Sequence, residues 1–212
     1  MIGEDVYDRY LEALLRGDSS TCLKIVDRLL DVQVPPVVMY VDLLQRSLYR
    51  IGELWEHNRI SVATEHLATA ITERILAAIY PSLLGDTSPH GRTAILCCSV
   101  NEYHQIGARM VADLMESTGW NVSFLGANTP IDDLLSLIDE RAPEFVGLSV
   151  SLYFNMAGLH RLIDRIHANF RNLDIIVGGQ AFRWGGSDIA HHYPQVTYIP
   201  SLANLEQTIT AA

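Results

Sequence analysis

The apolar residues of this 212-residue chain follow one pattern before residue 80 and another after residue 92, and this change limits the folds open to it. In the first part they recur at three- and four-residue spacing, which is typical of helices that bury one face. In the second part, short runs rich in Val, Ile and Leu alternate with helical segments, which is typical of a parallel sheet covered by helices. The chain is therefore predicted to contain two units of different class.

The first unit, residues 1–80, is predicted to be a four-helix bundle. Its predicted helices are 6–15, 22–30, a third from Pro35-Pro36 to about Trp55, and a fourth from Ser61 to about Ile79. Pro is tolerated in the first turn of a helix, and Ser is a favourable N-cap. Short connections between four amphipathic helices favour a bundle.

The second unit, residues 92–212, is predicted to be a doubly wound, parallel five-stranded α/β sheet of the flavodoxin-like or Rossmann-like kind. Its predicted strands are 93–100, 121–126, 145–152, 174–178 and 196–199, and its predicted helices are 107–118, 131–141, 157–170 and 184–192. The expected strand order is 2-1-3-4-5. Residues 81–91, which hold two Pro and two Gly, are predicted to be the linker.

Charge and cysteine content restrict the partners and the location. The net charge of −10 argues against a nucleic-acid surface, because phosphate binding needs clustered Lys and Arg. No apolar stretch is expected to reach the ~20 residues that span a bilayer, and no secretory signal is evident at the start. The three cysteines, Cys22, Cys97 and Cys98, do not suggest a disulfide framework. A cytoplasmic setting without a membrane or a direct nucleic-acid partner is predicted.

His104 lies in a polar loop between the first predicted strand and helix of the second unit, in the run Ser99-Val-Asn-Glu-Tyr-His-Gln-Ile-Gly107. Such loops, at the carboxyl edge of an open α/β sheet, are where these folds bind ligands. Gly107 is predicted to form the tight turn into the helix. Glu102 can accept a hydrogen bond from one ring nitrogen of His104 and leave the other directed outward. A metal-ligating imidazole is held in one tautomer in this way.

Serines and glycines follow two further predicted strands. Ser149 and Ser151 end strand three, and Gly178-Gly179 ends strand four. Because strands one, three and four are neighbours in the expected order, these residues should converge with His104 on one crevice. The serines either line a pocket there or satisfy backbone groups. The glycines either let the backbone approach a ligand closely or form an ordinary turn.

The combined spacing resembles the DxHxxG, SxL and GG motifs of cobalamin-binding domains. The matching elements are Glu102-x-His104-x-x-Gly107, then 41 residues, then Ser149, and then Gly178-Gly179. The resemblance covers about residues 92–200. It implies that His104 displaces the dimethylbenzimidazole of the cofactor and becomes the lower axial ligand of cobalt. It also implies that the nucleotide tail enters the sheet past Ser149 and the Gly pair.

A Trp and a Glu-His pair carry a second resemblance, in the bundle. Trp55 ends the predicted third helix, and Glu65-His66 lies in the first turns of the fourth. Their spacing is similar to that in the CarH-type adenosylcobalamin-dependent photoreceptors, in which these residues cap the 5'-deoxyadenosyl group. In those proteins light breaks the cobalt–carbon bond, the cap moves and oligomerisation changes. The resemblance implies that Trp55, Glu65 and His66 cover the upper face of the cofactor here.

Several residues depart from these patterns. Glu102 stands where the motif has Asp, and Ser151 stands where it has Leu. In the photoreceptors, a His that can ligate cobalt after photolysis directly follows the Trp. Here Glu56 holds that place and His57 comes next, a helical rotation of about 100°. The chain is also expected to lack the DNA-binding module that precedes the bundle in that family.

Some of these residues also have plainer interpretations. Trp55 could belong to the bundle core, and Glu65 could be a first-turn acid favoured by the helix dipole. His191-His192 lacks ligand partners at fixed spacing and is interpreted as a surface pair. Residues 183–186, Arg-Trp-Gly-Gly, follow strand four and are a weaker candidate for the tail pocket.

The leading hypothesis is a light-sensing module that holds adenosylcobalamin between bundle and sheet. Its output would pass through a partner protein or a missing domain, or through a light-dependent homo-oligomer. The alternative is a corrinoid carrier of a methyltransferase system, which would use methylcobalamin and would be the only enzymatic role expected. A third hypothesis is a storage protein that binds cobalamin without a structural response. A mutase subunit is disfavoured, because such chains lack this bundle.

Overall fold

The computed structural model describes residues 2–85 and 88–205, which divide at Gly85 into two compact units. The first unit is helical. Its elements are α1 Glu4–Leu15, α2 Ser19–Asp31, α3 Pro36–Val38, a π-helix Met39–Gln45, α4 Arg46–Glu56 and α5 Val62–Leu84. Side-chain oxygens of Asp18 and Ser61 accept hydrogen bonds from main-chain N–H groups at the starts of α2 and α5.

The third predicted helix contains a π-helical segment that the sequence pattern did not indicate. Met39, Tyr40, Leu43 and Leu44 are all buried within it. Over only seven residues, this spacing of apolar residues is expected of an α-helix and of a π-helix alike. The periodicity of the sequence therefore could not distinguish them. The segment has no Gly or Pro that would have marked it.

Helix α5 corrects two expectations. The predicted linker begins at Pro81, but the helix continues through Pro81 to Leu84. The φ that a Pro ring imposes is helical, and near a helix end its missing N–H removes only one hydrogen bond. With 23 residues and a mean hydropathy of 1.3, α5 also meets the length and composition of a membrane span, contrary to the expectation that no stretch would. Its buried residues recur at three- and four-residue spacing, which is typical of a bundle helix: Ala68, Ile71, Thr72, Ile75, Leu76 and Ile79.

The second unit is a five-stranded parallel sheet, and the predicted order β2-β1-β3-β4-β5 is confirmed. The strands are β1 Thr93–Cys98, β2 Asn121–Gly126, β3 Phe145–Ser149, β4 Asp174–Gly178 and β5 Val196–Tyr198. The helices are α6 Ile106–Ser117, α7 Ile131–Arg141, α8 Met156–Asn169 and α9 Ile189–His192, with 3-10 turns at Tyr153–Asn155 and Gln180–Trp184.

Three predicted boundaries in this unit are wrong. The first and third strands end two and three residues before the predicted positions, at Cys98 and Ser149. The apolar residues Val100 and Val150 lie in the loops that follow, so the apolar runs are longer than the strands themselves. The predicted helix 184–192 is instead the 3-10 turn followed by the four-residue α9. Gly185 and Gly186 separate the two with positive φ of 143° and 85°.

Strand register aligns the ends of the three central strands. Cys98 pairs with Ser149, and Ser149 pairs with Gly178. The core beneath them is formed by the sheet and by α7 and α8; its fully buried residues include Ile95, Val146, Leu148, Leu159, Ile163 and Val177. The loops that leave β1, β3 and β4 therefore start at one level on a rigid support.

Candidate functional site

The loop between β1 and α6 is folded by its own main chain. The N–H of Ser99 donates to the carbonyl of Ser149 on β3, at 2.8 Å, and that of Glu102 donates to the carbonyl of Ser99, at 3.0 Å. Asn101 sits between them with φ +61°, a conformation that Asn tolerates better than most residues. The reversal carries the side chain of Glu102 inward and that of Tyr103 into solvent, at 66% exposure for Tyr103.

Glu102 is fully buried and is the centre of the site. Its Oε1 accepts hydrogen bonds from the main-chain N–H of His104, at 3.0 Å, and from the His104 ring nitrogen Nδ1, at 2.6 Å. Its Oε2 accepts from the main-chain N–H groups of Ser151 and Leu152, at 2.8 and 3.0 Å, and from Nδ2 of Asn155, at 3.2 Å. One carboxylate thus joins the loop after β1 to the loop after β3.

These contacts fix the charge of Glu102. Burial by itself would raise the pKa of this carboxyl group, but the hydrogen bonds from His104, Leu152 and Ser151 outweigh it and hold the pKa at about 2. The group is therefore an anion at neutral pH, and Nδ1 of a neutral His104 ring must carry the proton that it shares with Oε1. That assigns the lone pair of the imidazole to Nε2.

The surroundings of His104 leave room for a ligand. The His104 side chain is 52% exposed. Gly107 does not form the predicted tight turn, because it lies inside the first turn of α6 and does not have a positive φ. The reversal is made earlier, at Asn101. A Cβ placed on Gly107 would meet nothing within 4 Å, so the helix presents an open surface beside the His104 loop.

Ser149 and Ser151 contribute their main chain to this site. Ser149 is the last residue of β3, and its carbonyl accepts from Ser99. Ser151 donates its N–H to Glu102. Both residues are half-buried, at the carboxyl edge next to His104.

Gly178 and Gly179 allow two stretches of main chain to lie close together. Gly179 has φ +113°, and a Cβ there would lie 2.8 Å from the carbonyl carbon of Val150 and closer still to its oxygen. The N–H of Val150 donates to the carbonyl of Gly178, at 3.0 Å. Gly179 therefore packs against the loop after β3. The sequence had allowed two interpretations of this glycine pair, a close approach to a ligand and an ordinary turn.

Replacing Gly179 by Ala is expected to destabilise the second unit by roughly 3 kcal/mol, from backbone strain and from the clash with Val150. Chemical denaturation of the ligand-free protein measures this. Gly107→Ala is the matched control, because its new methyl group meets open space and removes a helix glycine. Equal stability of the two variants would contradict the role given to Gly179.

Asn155 and Asn128 belong to the site but were not predicted. Nδ2 of Asn155 bonds both Glu102 and the carbonyl of Asn101. Oδ1 of Asn128, in the loop after β2, accepts from the N–H of Asn101, at 3.0 Å. Asn128 itself has φ +49°, and Asn in a loop after a strand was the one signal available for it.

In the first unit, the predicted residues flank the connection between α4 and α5. Trp55 lies in the last turn of α4 and is 43% exposed, Glu65 lies in the first turn of α5, and His66 follows it. Nδ1 of His66 is 2.5 Å from Oε2 of Glu65, whose Oε1 accepts from Thr69, at 2.9 Å. His57 is the C-cap residue of α4, and its Nδ1 lies 2.7 Å from the carbonyl oxygen of Glu53.

The weaker candidates have separate surroundings. His191 and His192 end α9 and are exposed, and Trp184 is 69% exposed at the end of its 3-10 turn. Within residues 2–85 and 88–205, no group of three or more His, Cys, Asp or Glu side chains is arranged to hold a metal ion.

Comparison with known families follows the same division of the chain. A family model described as B12 binding domain matches residues 92–199, and a second model of that description matches residues 6–80. Together they cover both units.

Among curated proteins, the HTH-type transcriptional repressor CarH of Myxococcus xanthus is 29% identical over 175 residues, which is 82% of this chain. The chain spans 57% of that relative's length. Monomethylamine corrinoid protein 1 of Methanosarcina mazei is 21% identical over 172 residues, 78% of each chain. Among solved structures, the Methanosarcina barkeri monomethylamine corrinoid protein has a TM-score of 0.85 at 15% identity, over 99% of both chains. This likeness shows a shared fold.

Proposed function

The chain belongs to the B12-binding domain family, and from that premise we propose that it is a sensory module that reads the state of a bound cobalamin. The cofactor is cobalamin, and we propose adenosylcobalamin as its working form. Similarity to CarH over 82% of the chain supports a regulatory role rather than a catalytic one. The observation that carries cobalamin binding is the contact of 2.6 Å between Nδ1 of His104 and the buried Glu102 carboxylate.

His104 is proposed as the lower axial ligand. Oε1 of Glu102 holds the proton on Nδ1, so the lone pair lies on Nε2, the nitrogen that would bind cobalt. The corrin ring supplies four further ligands, which agrees with a site that offers one protein ligand. The space that a Cβ at Gly107 would enter is empty within 4 Å and is proposed to hold part of the macrocycle. The displaced nucleotide tail would follow the ends of β3 and β4, past Ser149, Ser151 and Gly178.

Trp55, Glu65 and His66 are proposed to cap the upper ligand. Trp55 leaves nearly half of its surface exposed, and the Glu65 carboxylate is ordered by its bonds to His66 and Thr69. When bound, adenosylcobalamin supplies a cobalt–carbon bond that light breaks. His57 is proposed as a ligand after that event. With its Nδ1 donating to the Glu53 carbonyl, its ring would present Nε2.

The signal is proposed to leave through protein contacts. A net charge of −10 is unsuited to phosphate binding, so a change at the cap would be read by a partner protein, by a further domain or by a second copy of the chain. We propose a cytoplasmic location, because Cys22, Cys97 and Cys98 are free thiols rather than a disulfide framework.

The proposal is tested by loading the protein with adenosylcobalamin in the dark and then applying green light. The visible spectrum should change on illumination, and size-exclusion chromatography should show a change in hydrodynamic size. Trp55→Ala should bind adenosylcobalamin more weakly and leave methylcobalamin binding nearly unchanged. A spectrum and an elution volume that light does not alter would contradict the sensory role.

A corrinoid carrier in methyl transfer is the second candidate, and a specific observation favours it. The TM-score of 0.85 to a monomethylamine corrinoid protein extends over 99% of both chains. A carrier must leave the upper face accessible to partner enzymes, so it should prefer methylcobalamin and should gain nothing from Trp55. Competition between the two cofactors for the same protein decides between the roles.

Replacing Gly107 by Ala is expected to weaken cobalamin binding without destabilising the ligand-free protein. The methyl group would enter the space proposed for the macrocycle and weaken cobalamin binding about tenfold. The same change should leave the ligand-free protein as stable as before or more stable by up to about 1 kcal/mol, because Ala favours helix over Gly. Titration with hydroxocobalamin and thermal denaturation measure the two effects. Unchanged affinity would place the macrocycle elsewhere.

A further inference from the structure

The loop after β2, residues 127–130, contacts the His104 loop from the edge of the sheet. We infer that Asn128, in this loop, is a positioning residue, which fixes the main chain at Asn101 and Glu102 and thereby sets the direction of His104. The inference rests on the proposed role of His104 as a ligand of cobalt. In the strand order β2-β1-β3, the loop after β1 has a neighbour on each side, so it can be held from both.

Two hydrogen bonds join Asn128 to the His104 loop. Its Oδ1 accepts from the main-chain N–H of Asn101, at 3.0 Å. Its own main-chain N–H donates to the carbonyl oxygen of Glu102, at 3.1 Å. One bond holds the peptide group that enters Asn101, and the other holds the peptide group that leaves Glu102. A single residue therefore spans the turn that carries Glu102 into the site.

The end of β2 is shaped so that its loop reaches the His104 loop. The register of β1 and β2 shifts near their ends, where Cys97 pairs with Gly126 and Leu125 is the extra residue. An extra residue bends a strand and increases its local twist. Gly126 then has φ +74°, and a Cβ there would lie 2.7 Å from Oε1 of Gln105. The two loops therefore meet at a second point, independently of the Asn128 bonds.

The main chain of Glu102 decides where the imidazole can point. The carbonyl that Asn128 holds belongs to the peptide group between Glu102 and Tyr103, so a rotation of that group would carry His104 with it. The main-chain N–H and Nδ1 of His104 both bond Oε1 of Glu102, at 3.0 and 2.6 Å. The loop after β3 holds the carboxylate of Glu102, and the loop after β2 holds its main chain. Both neighbours of β1 therefore set the direction of His104.

The conformation and exposure of the bridge make it suitable for a test. Asn101 and Asn128 have φ of +61° and +49°, a region that Asn, Asp and Gly adopt more readily than other residues. Both residues are exposed, so water can replace a lost hydrogen bond. Variants at residue 128 should therefore fold, and any effect on His104 can be measured in the folded protein.

Asn128→Gly in the full chain tests the inference, first in the absence of any cofactor. Gly accepts the positive φ and keeps the main-chain bond to Glu102, but it removes the acceptor for Asn101. Hydrogen exchange at the main-chain N–H groups of Glu102 and His104 should become faster by roughly threefold or more. After loading, affinity for hydroxocobalamin should fall roughly threefold to tenfold, the size expected of one lost hydrogen bond.

Two control variants make this result specific. Asn128→Asp keeps an acceptor oxygen and tolerates the same φ, so both the exchange rates and the affinity should stay close to those of the original protein. Ala142→Gly also introduces a glycine at a positive φ, of 43°, at the C-cap of α7. It should leave the exchange at Glu102 and His104 and the affinity unchanged.

A double variant separates positioning from general structural support. If Asn128 acts through His104, Asn128→Gly should cause no further loss of hydroxocobalamin affinity in a protein that already carries His104→Ala. A residue that only supported the fold would lower the affinity by the same factor in both backgrounds.

Three outcomes would overturn the inference. They are unchanged exchange and affinity in Asn128→Gly, an Asn128→Asp protein that behaves like Asn128→Gly, and equal losses of affinity with and without His104. If exchange at His104 accelerates as expected but the original protein shows no His-ligated cobalamin, the positioning role stands and the proposed function fails.

Discussion

The His104→Ala protein is expected to fold and to lose His-ligated cobalamin binding. Ala keeps the main-chain N–H that donates to Oε1 of Glu102, and the removed side chain is half exposed, so the loop retains most of its hydrogen bonds. Affinity for adenosylcobalamin in the dark should fall on the order of 100-fold, because the one protein bond to cobalt that is proposed before illumination is gone. Equilibrium titration followed by visible spectroscopy measures both the affinity and the ligation.

A nitrogen-sensitive measurement makes the result specific. In the cob(II)alamin form, electron paramagnetic resonance should show coupling to one protein nitrogen, and nitrogen-15 labelling of histidine should alter its splitting. His104→Ala should lose that coupling, and added imidazole should restore part of it. His192→Ala, an exposed histidine on α9, is the matched control and should behave like the original protein. Coupling that persists in His104→Ala would assign the ligand to another residue.

The fold was largely accessible from the sequence because each unit has its own apolar period. Alternation of buried runs with helices predicted the five strands and their order, since parallel strands need helical crossovers. The boundaries were less accessible. Val100 and Val150 are as apolar as their strands, although the main chain has already turned at Ser99 and Ser149 toward the site.

From the sequence, the contacts of the site could be predicted only where they join residues that are close together in the chain. Glu102 and His104 are two positions apart, and their contact is direct, at 2.6 Å, despite the Glu that stands where the motif has Asp. Asn155 meets Glu102 across 53 positions, through two loop conformations that leave no periodic signal. Gly179 shows the same limit, because its backbone partner Val150 is known only once the strands are paired.

The added methylene of Glu102 carries its carboxylate farther from the main chain than Asp would. One oxygen reaches the His104 loop and the other reaches Ser151, Leu152 and Asn155. Glu102→Asp would draw both oxygens back toward the main chain by one methylene, so the hydrogen bonds to both loops should lengthen together.

Glu102→Gln is expected to destabilise the ligand-free second unit by roughly 3 kcal/mol at pH 7. The amide keeps the shape of the side chain but replaces one buried acceptor oxygen by an NH2 donor that faces other donors, and it removes a charge that those donors stabilise. Urea denaturation monitored at the sheet unit measures the loss. Glu140→Gln, at an exposed glutamate paired with Arg141, should change stability by less than about 0.5 kcal/mol.

The difference in free energy of unfolding between the original protein and Glu102→Gln should depend on pH, and this dependence identifies the ionised carboxylate as the cause. The pKa of Glu102 is lowered from 4.5 in the unfolded chain to about 2 in the folded protein. A group with a lowered folded pKa contributes stability that is fully present above the unfolded pKa and is lost as the pH falls toward the folded one. The gap between the original protein and Glu102→Gln should therefore be constant from pH 7 to about 5 and should narrow between pH 4.5 and 2. A gap that stays constant down to pH 2 would show that packing, rather than the anion, holds the two loops together.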